Sequence, residues 1–279
     1  MGQALVRLES SQVAAAARAT RAWFENGWRS LGGELRDWLS ADPASRRELA
    51  GTFPRGATVE LFTAEPDGRW PAQDELAPQV WQDFLDKLCL AEGGALGAAA
   101  NVRPGGAEGS QVRPGAYFET DQYFEMARYL VDAGGSGYVT LACKNVAGCL
   151  LTSRERQTAL ADTVLAAVQL VDPCYAEVSL KVDPTASALE AATGRLVSRA
   201  LQESRRYLAG YSWITVVPRE IAQRLGGAAA ATRSDLFPEV SELRSGALWL
   251  RTTQWLDQYE TADATSLAEF FGPVLPPRR

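Results

Sequence analysis

TSRERQTALADTVLAAVQLVDPCYAEVSLKV, residues 152–182, decides the fold because it joins a helix to an alternating strand. In its first part, apolar residues recur at i, i+4 spacing behind a Thr152-x-x-Glu155 capping box, which predicts a helix over 152–171. Residues 175–182 alternate, and such a strand buries one face and exposes the other. The predicted buried side is Ala176, Val178, Leu180 and Val182, and the predicted exposed side is Tyr175, Glu177, Ser179 and Lys181.

The same two periodicities recur along the rest of the chain. Strands are predicted over residues 3–9, 56–64, 93–102, 137–143, 211–218, 240–243 and 246–253. Helices are predicted over residues 11–31, from Pro78 to Leu88, and over 187–207, 219–227 and 265–277, while residues 116–134 are expected to run from a strand into a helix. The order predicts an α+β fold with mainly antiparallel sheet, helices packed on one face and repeated β-α-β units. We expect a single α+β domain over 1–279, or two similar halves of about 1–110 and 111–279.

Composition excludes several classes of function. The 279 residues include no histidine, which removes Ser-His-Asp triads, Cys-His dyads and histidine-ligated zinc or haem. A net charge of −6 disfavours nucleic-acid binding. We therefore expect no metal, no cofactor and no nucleic-acid partner.

Nothing in the sequence resembles a signal peptide or a membrane span. The four cysteines show no C-x-x-C spacing. They are Cys89, Cys143, Cys149 and Cys174. Reduced, mostly buried thiols, a cytoplasmic location and no membrane contact are therefore expected.

One short segment combines carboxylates with phenols. If its backbone is extended, Tyr117, Glu119, Asp121, Tyr123 and Glu125 share a face, because strand side chains repeat every two residues. Tyr117, Glu119, Asp121 and Tyr123 are then the candidate catalytic residues for acid/base chemistry without histidine. The alternative is a strand end followed by the acidic first turn of a helix, which the helix dipole favours.

A second group consists of aromatic residues in two predicted strands. Tyr211, Trp213 and Thr215 are expected to share a face, and Trp249 lies close to Arg251 in sequence. Tyr211, Trp213, Trp249 and Arg251 are the candidate binding residues. Large aromatic residues in strands are more often part of the core, so packing is the alternative interpretation.

The C-terminal part of the chain resembles a known family. The stretches that carry the likeness are GYSWITVVPREIAQRLGG at 210–227, PEVSELRSGALWLRTT at 238–253, QYE at 258–260 and FFGPVLPP at 270–277. They resemble the C-terminal half of the bacterial type VI immunity family, which is related to the polymorphic-toxin immunity proteins. The shared motifs are packing motifs and include no catalytic residues.

The resemblance implies a cytoplasmic binding protein that neutralises a toxin protein by steric occlusion. A different class remains open: a cofactor-independent enzyme or small-molecule-binding protein, for example in a biosynthetic pathway, that uses a pocket of carboxylates and tyrosines. A structural subunit is the third hypothesis, and it predicts a large exposed apolar patch and stable oligomers.

Overall fold

The structure is a computed structural model that describes residues 2–9, 13–31, 58–63, 82, 85–86, 98–103, 123–133, 135–146, 153–180, 187, 189–190 and 194–277. Its strands are β1 (Gly2–Glu9), β2 (Thr58–Thr63), β3 (Ala98–Arg103), β4 (Tyr123–Ala133), β5 (Ser136–Val146), β6 (Tyr175–Ser179), β7 (Ile214–Val217), β8 (Glu239–Glu242) and β9 (Leu248–Arg251). Its helices are α1 (Val13–Leu31), α2 (Arg154–Val168), α3 (Val197–Gln202), α4 (Arg219–Arg224), α5 (Gly227–Arg233) and α6 (Ala264–Phe271). Two short 3₁₀ helices, Leu256–Thr261 and Gly272–Val274, flank α6.

These strands form one antiparallel sheet in the order β2-β3-β4-β5-β1-β6-β7-β9-β8. Strand β1 lies inside the sheet, where it pairs with β5 from Gly2 to Glu9 and with β6 from Gln3 to Arg7. The α+β class and the mainly antiparallel sheet are therefore confirmed. The division into domains stays a prediction.

Helices α1 and α2 pack against each other on one face of the sheet. Their contacts with the sheet form a core that includes Ala4, Val6 and Leu8 of β1, Trp23 and Phe24 of α1, and Leu160 and Val164 of α2. Alternation along β1 explains this arrangement, because Ala4, Val6 and Leu8 project to the same side. This face is the one the sequence predicts to be covered by helices.

The opposite face is also covered in the C-terminal part. Leu5 of β1 and Leu248 and Leu250 of β9 form a second core with Ile221 of α4 and Phe271 of α6. Helices thus lie on both sides of the sheet here, which extends the predicted arrangement of helices on one face. As a result, β6 is buried on both faces, and the predicted solvent exposure of Tyr175, Glu177 and Ser179 is wrong.

Three local predictions need correction. Residues 123–133 form strand β4, which is hydrogen-bonded to β5, where the sequence predicts a helix. Pairing with two neighbouring strands stabilises the extended backbone there and overrides the local helical pattern.

Helix α2 is capped by Ser153, whose hydroxyl accepts from the Arg156 N–H, and not by Thr152. The predicted helix over 187–207 is interrupted at Gly194, where φ is +63°.

A buried polar network lies between β1, β6 and the segment at 187–190. The Arg7 guanidinium donates to both carboxylate oxygens of Glu190, each at 2.7 Å, and both side chains are almost fully buried. Glu190 also completes a capping box, since the Glu190 N–H donates to Ser187 Oγ at 3.1 Å and the Ser187 N–H donates to the Glu190 carboxylate at 2.5 Å. The Ser187 hydroxyl in turn donates to the Ala209 carbonyl. One carboxylate therefore both neutralises the buried cation and caps the segment above it.

We expect Arg7→Met to lower the free energy of unfolding by about 3–5 kcal/mol, because removal of one partner leaves a buried charge uncompensated. Glu190→Gln should cost less, since Glu177 also lies within electrostatic reach of Arg7. Urea denaturation of the two variants and the wild type at neutral pH measures both losses. A smaller loss for Arg7→Met than for Glu190→Gln would contradict this account.

Candidate functional site

A cleft lies between the C-terminal end of α2 and the β8–β9 hairpin, and we call it the β8 cleft. Its volume is about 210 Å³. The residues that line it are Leu165 from α2, Gln169 directly after α2, Glu239, Ser241 and Glu242 from β8, Leu243 and Arg244 from the turn, and Trp249 from β9.

The β8–β9 turn sets which side chains face this cleft. The Leu243 N–H donates to the Ala247 carbonyl at 2.8 Å, and the Gly246 N–H donates to the Leu243 carbonyl at 2.9 Å. Gly246 has a φ of +82°, in the left-handed region that favours glycine. The resulting register pairs Ser241 with Trp249 and Glu239 with Arg251, so these four residues share the face that α2 covers.

Charged groups stand beside the cleft. Arg251 donates to Glu239 at 2.8 Å, and its guanidinium lies 5.7 Å from the centre of the Trp213 ring. The ring thus contributes a cation–π contact to the ion pair. Glu242 and Arg244 are exposed, and neither forms an ion pair with any described residue.

Two buried donors near the cleft are unsatisfied. The indole N–H of Trp249 and the Nε–H of Arg251 have no hydrogen-bond acceptor among the residues that the structure describes. Trp249 is 1% exposed, so the protein shields its indole N–H from bulk water. An unpaired buried donor costs about 1–3 kcal/mol and is rare in folded proteins.

The predicted binding residues divide between two places. Trp213, Trp249 and Arg251 lie together on the α2 face, and the two tryptophans are buried in the core, which agrees with the packing interpretation. Tyr211 lies on the opposite face, where its ring stacks on Phe271 with 4.9 Å between centroids. Thr215 pairs with Leu250 and therefore faces the same side as Tyr211, so only Trp213 departs from the expectation that the three residues share a face.

The backbone just before β7 explains why these residues do not share one face. Strand β7 begins only at Ile214, and the chain bends at Trp213, next to Ser212, whose N–H donates to Thr215 Oγ1 at 3.0 Å. The Ser212 hydroxyl donates a hydrogen bond to the Val178 carbonyl at 2.9 Å. Because the backbone is not regularly extended over 211–213, strand alternation does not apply to those residues.

The predicted catalytic residues are not tested by the structure. Tyr117, Glu119 and Asp121 lie outside the described residues, and Tyr123 is described only as the first backbone position of β4. Acid/base chemistry at this cluster stays a prediction.

A different phenol–carboxylate pair does occur, and sequence reasoning missed it. The Tyr175 hydroxyl donates to Glu177 at 2.7 Å, and both side chains are fully buried beneath the second helical layer. Burial and the neighbouring Glu177 carboxylate raise the pKa of Tyr175 well above its usual range, so the phenol keeps its proton. The apolar patterns of α4 and α6, which require a sheet face to pack on, were the signal that β6 is covered on this side.

A cluster of acidic residues surrounds one arginine on the surface. Arg205 donates to Glu9, Asp172 and Glu220 at 3.1–3.2 Å, so three carboxylates share one cation. Cys174 lies next to this group, and burial raises the pKa of its thiol to about 12. The thiol is therefore protonated and unreactive at neutral pH.

The described residues contain no group of three or more cysteine or acidic side chains placed to hold a metal ion. Within the same ranges, no helix combines the length and apolarity that a membrane crossing requires.

Comparison with known proteins gives a likeness in fold. The sequence matches no known protein family and no curated protein. Among solved structures, the chain is similar to the Pseudomonas aeruginosa T6SS protein PA0821, with a TM-score of 0.57 and 12% sequence identity. The alignment covers 98% of this chain and 73% of the other. At this identity the likeness shows a shared fold.

We expect Trp249→Ala to lower the free energy of unfolding by about 3–5 kcal/mol, because it removes a buried aromatic side chain from the core. The matched control is Glu239→Gln, which weakens a partly exposed ion pair close to Trp249 and should cost about 1 kcal/mol or less. Urea denaturation measures both. If Trp249→Ala cost as little as the control, Trp249 would not have the packing role that its burial indicates.

Proposed function

We propose that this chain is a binding protein of the immunity type that acts with a type VI secretion system and neutralises a cognate toxin in the cytoplasm. The observation that carries the proposal is the likeness in fold, over almost the whole chain, to the Pseudomonas aeruginosa T6SS protein PA0821. This likeness agrees with the resemblance of residues 210–277 to the type VI immunity family.

The position of the resembling segments adds to the argument. Residues 210–227 include β7 and α4, residues 238–253 form the β8–β9 hairpin, and residues 270–277 end α6. Together they build the second helical layer and the hairpin side of the β8 cleft. The motifs that carry the resemblance therefore shape one end of the molecule and supply no catalytic group.

Steric occlusion is the mechanism that this arrangement supports. A binding protein of this kind covers the active site of its toxin, and a few well-packed anchor residues contribute most of the affinity. The net charge of −6 favours a basic partner and accelerates encounter with it. Surface carboxylates such as those around Arg205 would contribute to this attraction.

Co-expression tests the proposal. The proposed function requires a cognate secreted toxin, for which a neighbouring gene is the first candidate. That toxin should kill or arrest bacteria when produced alone in the cytoplasm, and co-production of this chain should restore growth. The two proteins should also co-purify, and their association rate should fall as salt concentration rises, because salt screens the attraction.

The control is an inactive toxin variant, which should still bind but should not affect growth. Growth arrest that persists in the presence of folded chain, together with failure to co-purify, would refute the proposed function.

A further inference from the structure

The outer edge of β8 is open in the described structure. Strand β8 is the last strand of the sheet, and its described hydrogen-bonded neighbour is β9. In an antiparallel pair, hydrogen-bonded and non-hydrogen-bonded positions alternate. Leu243 is hydrogen-bonded to Ala247, so Ser241 is the next such position, and the backbone groups of Val240 and Glu242 point away from β9. This edge therefore presents N–H and C=O groups that another strand can use.

The β8 cleft opens beside this same edge, and its size limits what it can hold. At about 210 Å³ it is smaller than the roughly 300–1,000 Å³ of typical small-molecule sites. A strand added to β8 would place every second side chain on the α2 face, next to Ser241 and Glu239. The cleft therefore suits one large side chain of an added strand.

The lining of the cleft indicates the chemistry of that strand. Trp249 and Leu165 provide apolar surface in the cleft. Glu242 and Arg244 are both exposed at the cleft without an ion-pair partner among the described residues, and the chain as a whole carries a net charge of −6. A lysine or arginine on the incoming strand would complement this charge.

We propose that the edge of β8 and the β8 cleft bind an extended segment of the partner protein as an additional strand, with one large, mainly apolar side chain in the cleft and a basic residue beside Glu242. The inference rests on the proposed function, since the partner is the toxin. Main-chain hydrogen bonds to Val240 and Glu242 provide affinity, and the cleft provides specificity, as in other cases of β-augmentation.

Peptide selection tests the site without knowledge of the toxin. The probe is a phage-displayed library of random peptides a dozen residues long, selected on the immobilised full chain and counter-selected on Ser241→Trp, which fills the cleft. We expect enriched peptides to share a large apolar residue with a lysine or arginine close to it. Gln202→Trp, which adds the same side chain at an exposed position on α3, should retain binding.

The backbone contact is tested by a matched pair of variants. Glu242→Pro removes both the carboxylate and the outward N–H, whereas Glu242→Thr removes the carboxylate and keeps the N–H. We expect a selected peptide, and the toxin, to bind Glu242→Pro about tenfold more weakly than Glu242→Thr. Thermal unfolding identifies any loss of folding, and if Glu242→Pro does not fold, Ser241→Trp against Gln202→Trp provides the comparison.

Each outcome bears on the proposal. Toxin binding that is unchanged in Glu242→Pro and Ser241→Trp would overturn the edge site while the proposed function stands. Peptides that bind through the edge, together with a toxin that does not bind, would refute the proposed function and leave the edge site standing. The proposal would be overturned if the selection enriched no common sequence. It would also be overturned if the wild type were a dimer that Glu242→Pro converts to a monomer, because the occupant of the edge would then be a second copy of this chain.

Discussion

The ion pair between Arg7 and Glu190 is the constraint on which the rest of the structure depends. Strand β1 lies inside the sheet, and alternation directs Arg7 to the face opposite α1 and α2. A segment that buries a cation at that position must also supply an anion to neutralise it, because a buried charge without a partner is strongly destabilising. Glu190 meets both needs, since it binds the guanidinium with two oxygens and caps its own segment through Ser187. The segment that contains Ser187 and Glu190 is therefore tied to the central strand by charge.

This constraint explains which parts of the fold the sequence could predict. Regular periodicity predicts β1, α1, α2, β8 and β9 well, because each pattern extends over several residues and agrees with its packing. It fails for β4 and for the exposed face of β6, where distant segments decide the outcome. Glu177 looks solvated beside apolar Ala176 and Val178, but helices that follow much later in the chain cover it. Local patterns do not contain that information.

The candidate site could likewise be predicted from the sequence only in part. Trp249 and Arg251 could be singled out from sequence as an aromatic and a cation in one strand; Trp249 lines the β8 cleft, and Arg251 pairs with Glu239, which also lines it. The cleft itself was not foreseeable, because it arises from the distance between the end of α2 and a hairpin some 70 residues later. Trp213 lies on the face opposite Tyr211 and Thr215 because the backbone just before β7 is irregular. The buried Trp249 thus lines the site, and the edge of β8 supplies the accessible surface.

The internal position of β1 has a consequence for how the chain is made. Residues 2–9 leave the ribosome before both of their partners, Tyr138–Asn145 and Tyr175–Ser179, which are synthesised more than a hundred residues later. Until then β1 carries two uncovered edges and an apolar face, and such long-range pairing is slow to form. Nascent chains in this condition are prone to aggregate and are typical clients of chaperones. The interval for which β1 waits for its second partner is therefore set by the time taken to synthesise the residues between Glu9 and Ser179.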